Sequence, residues 1–83
     1  MGTHTYRQTV KLEVARDLLH GLIADITARL EALAQEGAPD AALVEQLESE
    51  MTAIGVEADH LDVRDEARLD AIIAKHRKEA VTH

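Results

Sequence analysis

Glu57, His60 and Asp62 are the residues whose types and spacing come closest to metal chemistry in this 83-residue chain. An E-x-x-H step brings a carboxylate and an imidazole to one face of a helix, and di-iron helical proteins use it twice inside a four-helix bundle, with two further glutamates. Here the step occurs once, in a stretch that reads as a connection between helices, so solvated loop side chains are the simpler account. The chain has no cysteine, which removes thiolate metal sites, disulfides and thiol nucleophiles together. The other histidines, His4, His20, His76 and His83, share no ligand spacing. His20 and His76 fall near helix faces and read as boundary residues, not as titrating switches. Ser49 and the threonines have no His or carboxylate arranged to activate them. A phosphate-binding loop, a nucleophile elbow and an HExxH step are all missing. The expectation is a protein with no metal, no cofactor and no catalytic activity.

A second group of residues points to binding. Tyr6 is the only aromatic side chain, and around it Thr9, Val10, Lys11, Leu12, Glu13, Val14, Arg16 and Asp17 interleave apolar and polar groups on nearly all sides. Val10, Leu12 and Val14 cannot share one stripe, because residues two apart on a helix point about 200° apart. Tyrosine is enriched where interfaces concentrate their energy. Two readings follow: Tyr6 and Val10 pack on the far end of a later helix, or this helix start enters a partner's groove.

The elements that would carry these residues are helices. Thr5-Tyr6-Arg7-Gln8 fits a capping box. Ala15, Leu19, Leu22, Ile26, Leu30 and Leu33 then recur at steps of three and four as one apolar stripe, widened by Leu12, Leu18 and Ile23. A helix over about 6–36 would be roughly 45 Å long, too long for the later helices to cover, which leaves apolar surface for a partner. Gly21 sits inside it, as a kink or a place of close backbone approach, and Gly37 suits its end. Pro39 at the first helical position or Asp40 as the cap opens a second helix, about 39–54, with Leu43, Val44, Leu47, Met51 and Ile54 on one face and Gly55 to end it. Asp62 is the expected cap of a third, about 62–79, with Leu69, Ile72, Ile73 and His76 facing inward. Asp65 and Glu66 sit in its first turn, and Lys75, Arg77 and Lys78 near its end, where each sign suits the helix dipole. Val81-Thr82-His83 is expected to fray. The fold class is all-α: a single domain over 1–83, an antiparallel three-helix bundle with a long first helix.

Composition narrows the function. A net charge of −7 disfavours a dedicated nucleic-acid binder, which neutralises phosphates with Lys and Arg. The charge is uneven, since residues 37–66 hold nine acidic side chains against Arg64 alone, a pattern suited to a solvated face or a basic partner. Apolar runs reach only three or four residues, far short of a membrane span, and residues 1–8 do not read as a signal peptide. A soluble, cytoplasmic protein without membrane contact is expected.

Thr5-Tyr6-x-x-Thr9-Val10-x-Leu12-Glu13-Val14-x-x-Asp17-Leu18 resembles the opening of the epsilon antitoxins, small three-helix partners of zeta toxins. Leu61-Asp62-Val63, followed by Glu66 and Leu69, is a weaker echo at the third helix. Together the two patches cover about twenty-five positions. The resemblance implies a bacterial toxin–antitoxin system and a non-catalytic inhibitor. Its partner would be a zeta-like kinase that phosphorylates a UDP-activated amino sugar, and its first helix would block the kinase's ATP site. By the matching motif the contacting residues are Tyr6, Thr9, Val10, Glu13 and Asp17. The near absence of aromatic side chains departs from that family's pattern. The other readings are a helical adaptor or chaperone-like interaction module, a helical homodimer, and, last, a DNA-binding antitoxin.

Overall fold

The computed structural model describes residues 6–81, and the side chains of residues 6–76. Three helices follow one another: α1 (Tyr6–Ala34), α2 (Ala41–Asp59) and α3 (Glu66–Val81), with no strand among the described residues. The all-α, three-helix fold with a long first helix is as the periodicity predicts. His4, the Thr5 member of the capping box, Thr82 and His83 lie outside the described residues, as do the side chains of Arg77, Lys78 and Val81. No helix is long and apolar enough to cross a membrane, among the described residues.

The chain packs as two compact units, and α1 contributes to both. One comprises Leu19–Asp59, the later part of α1 and all of α2. These two segments form an antiparallel hairpin: the Thr27 hydroxyl of α1 donates to the Ile23 carbonyl at 2.9 Å and lies 3.5 Å from Met51 Sδ of α2. Leu19 and Leu47 are almost completely enclosed, with Ile26 and Ala58 close behind. Each fully buried leucine contributes about 1.5–3 kcal/mol relative to exposure. The two helices are joined through Asp40, whose Oδ1 accepts from the Ala42 and Leu43 amides at 3.0 and 3.2 Å. Asp40 is therefore the cap, and Pro39 lies before the helix.

The other unit comprises the described parts of Met1–Leu18 and His60–His83. Here α3 runs parallel to the start of α1. Arg7 pairs with Glu66 at 3.5 Å and Lys11 with Asp70 at 2.8 Å, so a step of four on one helix matches a step of four on the other. Ala15, Leu69 and Ile72 form its buried core.

Several sequence expectations need correction. The start of α1 does not outrun the rest of the chain: α3 lies alongside it, and Ala15 has no solvent exposure at all. α1 stops at Ala34 because the Gln35 and Glu36 amides reach back only three residues, to Ala32 and Leu33, which tightens and ends the helix. Gly37 is thus not a left-handed cap, and no described glycine has positive φ. Gly55 does not end α2, which continues to Asp59. The stripe Leu47, Met51, Ile54 extends to Ala58, and its burial outweighs the roughly 1 kcal/mol that a mid-helix glycine costs. Gly21 makes no close approach either, since a Cβ placed there meets nothing within 4 Å.

The third helix starts at Glu66, not near Asp62. Asp62 instead holds the preceding turn. Its Oδ1 accepts the Arg64 amide at 2.9 Å, its carboxylate takes the Arg64 guanidinium at 3.2–3.3 Å, and its carbonyl accepts the Asp65 amide at 3.0 Å. This local pairing with the Asp62 carboxylate holds the Arg64 proton more firmly than usual, through the hydrogen bond first and charge attraction second. Asp65 then caps α3, accepting from the Arg68 amide at 3.2 Å.

Candidate partner-binding face of the first helix

At 100° per residue, Tyr6, Thr9, Val10, Glu13 and Asp17 fall within an arc of about 100° on α1. Ala15, fully buried, stands about 180° from Tyr6. Burial follows this geometry. Tyr6 is 86% exposed, Thr9, Glu13 and Asp17 are exposed, and Val10 at the edge of the arc is half-buried. The start of the helix therefore buries Ala15 and turns Tyr6, Thr9, Glu13 and Asp17 outward, with Val10 at their margin. Packing of Tyr6 on a later helix, one of the two sequence readings, is not what the structure shows.

Arg7 and Lys11, the basic residues on the side of α1 toward α3, are already engaged. Lys11, largely enclosed at 24% side-chain exposure, reaches Asp70 at 2.8 Å and Glu66 at 3.7 Å. Arg7 donates to the same Glu66. Both cations thus serve the contact with α3. Glu13 and Asp17, by contrast, have no hydrogen-bond or ion-pair partner among the described residues. They also stand four residues apart, where like charges on a helix repel by about 0.2–0.5 kcal/mol. A pair of exposed carboxylates at that spacing weakens the helix slightly and leaves two acceptors available to a cationic group.

Arg16 belongs to the interleaved group around Tyr6 but not to the five contacts that the motif implies. It is exposed and lies beside Thr9 on the same side of α1, ten residues beyond Tyr6. Its position follows from the same 100° step once Tyr6 is taken as the face's centre. Val14 and Leu18, each four residues on from Val10 and Val14, are half-buried and follow Arg7 and Lys11 around the helix toward α3. Val10 is the point where the outward face meets that covered side.

The remaining candidate chemistry stays dispersed. Glu57 is half-buried in the last turn of α2 and His60 is exposed in the turn that follows. No group of three His, Cys, Asp or Glu side chains among the described residues is placed to hold a metal ion. His20 is exposed on α1, and His76 is half-buried on the inward side of α3 with its Nδ1 enclosed. Comparison with protein-family models, with curated proteins and with solved structures finds no significant match for this chain.

Proposed function

We propose that this chain is a non-catalytic, cytoplasmic binding protein that acts through the outward face of α1, with Tyr6, Thr9, Val10, Glu13 and Asp17 as its contacts. The observation that carries the reading is the division of labour on one helix: Ala15, on the side opposite Tyr6, is fully buried in cis, while an exposed tyrosine and two unpaired carboxylates line the outward side. An exposed aromatic with flanking acceptors on a rigid helix is the usual form of an anchor that enters a partner's groove.

The resemblance of residues 5–18 to the epsilon antitoxins supplies the occupant's identity within this proposal. The partner is a zeta-like kinase, and the helix face fills its nucleotide site. Tyr6 occupies apolar space, and Glu13 or Asp17 meets a basic group that otherwise holds nucleotide phosphate. Inhibition is then competitive, and each 1.4 kcal/mol of complex affinity reduces free active kinase tenfold. Only one side of α1 is offered in this way, because Ala15 on the opposite side is fully buried within the chain.

Co-expression with a zeta-like kinase and copurification tests the assignment. A stable complex whose formation is opposed by ATP is the expected result; kinase that purifies free and still binds nucleotide in the presence of this chain contradicts it.

A further inference from the structure

The hairpin unit carries a second candidate surface, made of residues other than the five motif positions. Between the last turns of α1 and the first turns of α2, an open groove of about 410 Å³ is lined by Leu30, Ala34, Pro39 and Val44, with Thr27, Glu31 and Glu48 beside them. Leu30 and Val44 are only half-buried there, and Ala34 is too short to fill the space between them. Neither the Glu31 nor the Glu48 carboxylate has a hydrogen-bond or ion-pair partner among the described residues.

The charge around this groove is one-sided. Residues 19–59 contain nine carboxylates, from Asp25 to Asp59, against a single arginine, Arg29. α2 itself has no Lys or Arg. The hairpin thus carries a charge of −8 in a chain whose net charge is −7, and everything else in the sequence sums to nearly neutral. Such a surface repels a second copy of itself and attracts a cationic one over about one Debye length.

We propose that this groove seats a basic amphipathic helix from a different protein. One apolar side chain of that helix enters between Leu30, Ala34, Pro39 and Val44, and Lys or Arg residues one turn to either side pair with Glu31 and Glu48. An apolar anchor framed by cations is the pattern the lining asks for, and helix-in-groove docking provides it with i and i+3 or i+4 spacing. A second copy of this chain is disfavoured by charge, and a bare polycation would leave the apolar floor unused.

The test uses the full chain and a labelled helical peptide of leucine and lysine, read by fluorescence anisotropy, with its leucine–glutamate counterpart as the control. The lysine peptide is expected to bind and the glutamate peptide is not. Glu31→Lys with Glu48→Lys weakens binding about tenfold. Glu45→Lys with Glu50→Lys, the same change in charge at positions that do not line the groove, weakens it by about twofold or less. Ala34→Met, which fills the groove and leaves the charge unchanged, also weakens binding. Equal losses from the two charge-reversed pairs would mean diffuse attraction and overturn the proposal, as would an unaffected Ala34→Met or no binding at all. Sedimentation showing that the free protein pairs through this groove would overturn it too. None of these outcomes depends on Tyr6, Glu13 or Asp17, so the two surfaces stand or fall separately.

Discussion

The Lys11 ammonium forms an ion pair with Asp70 Oδ1 at 2.8 Å, and this contact places the start of α1 beside the start of α3. Its geometry is better than that of the Arg7–Glu66 pair, where the distance is 3.5 Å and the arginine side chain is 75% exposed. Because Asp70 is itself more than half exposed, solvent screens the attraction and its contribution stays small. A double-mutant cycle with Lys11→Ala and Asp70→Ala is expected to give a coupling of about 0.5 kcal/mol by urea denaturation, falling in high salt. Arg7→Ala is expected to change stability by less than Lys11→Ala does.

The open space around the two mid-helix glycines gives a second prediction. A Cβ at Gly21 or at Gly55 meets no atom within 4 Å, and neither residue has positive φ. Gly21→Ala and Gly55→Ala are therefore expected to stabilise the protein by about 0.5–1 kcal/mol each, through helix propensity and a less flexible unfolded chain. Thermal unfolding followed by far-UV circular dichroism measures this directly, and a loss of stability would mean that one of the glycines is needed for packing or bending.

Capping separates the two aspartates before α3. Asp65→Ala removes the acceptor of the Arg68 amide and is expected to cost about 1 kcal/mol. Asp62→Ala instead frees Arg64 and loosens the turn, leaving the cap in place. Hydrogen exchange at the first amides of α3 distinguishes them: protection falls in the Asp65 variant and persists in the Asp62 variant.

Core truncations should report each unit. Leu69→Ala and Leu47→Ala each remove an almost fully buried leucine and are expected to cost about 2–5 kcal/mol. In a chain this small, either loss is a large share of total stability. Urea midpoints measured on the full chain provide the check.

Much of this fold was legible in apolar spacing. Leu19, Ile26, Leu47, Leu69 and Ile72 all lie on stripes that the periodicity identifies, and all are buried. Helix ends were harder to read, because they depend on which polar side chain takes which amide. Asp62 and Asp65 are both acceptable caps by type, and only the local Asp62–Arg64 pairing decides between them. Ala58 escaped notice because alanine adds little to an apolar pattern, although its burial carries α2 past Gly55. At the candidate face, the outward positions of Tyr6, Thr9, Glu13 and Asp17 follow from their offset from Ala15. Its apparent surplus of apolar surface did not survive, since which helix covers the start of α1 depends on long-range pairing such as Lys11 with Asp70.

The outward face of α1 is tested most directly by Asp17→Lys, a change with opposite signs for stability and binding. It replaces an unpaired like-charge neighbour of Glu13 with a Glu–Lys pair four residues apart, which should stabilise the helix by about 0.5 kcal/mol. Affinity for the co-expressed zeta-like kinase, measured by calorimetry alongside Tyr6→Ala and Glu13→Lys, is expected to fall about tenfold or more in all three variants while far-UV helicity is retained. Unchanged affinity in these well-folded variants would contradict the assignment of this face to a partner.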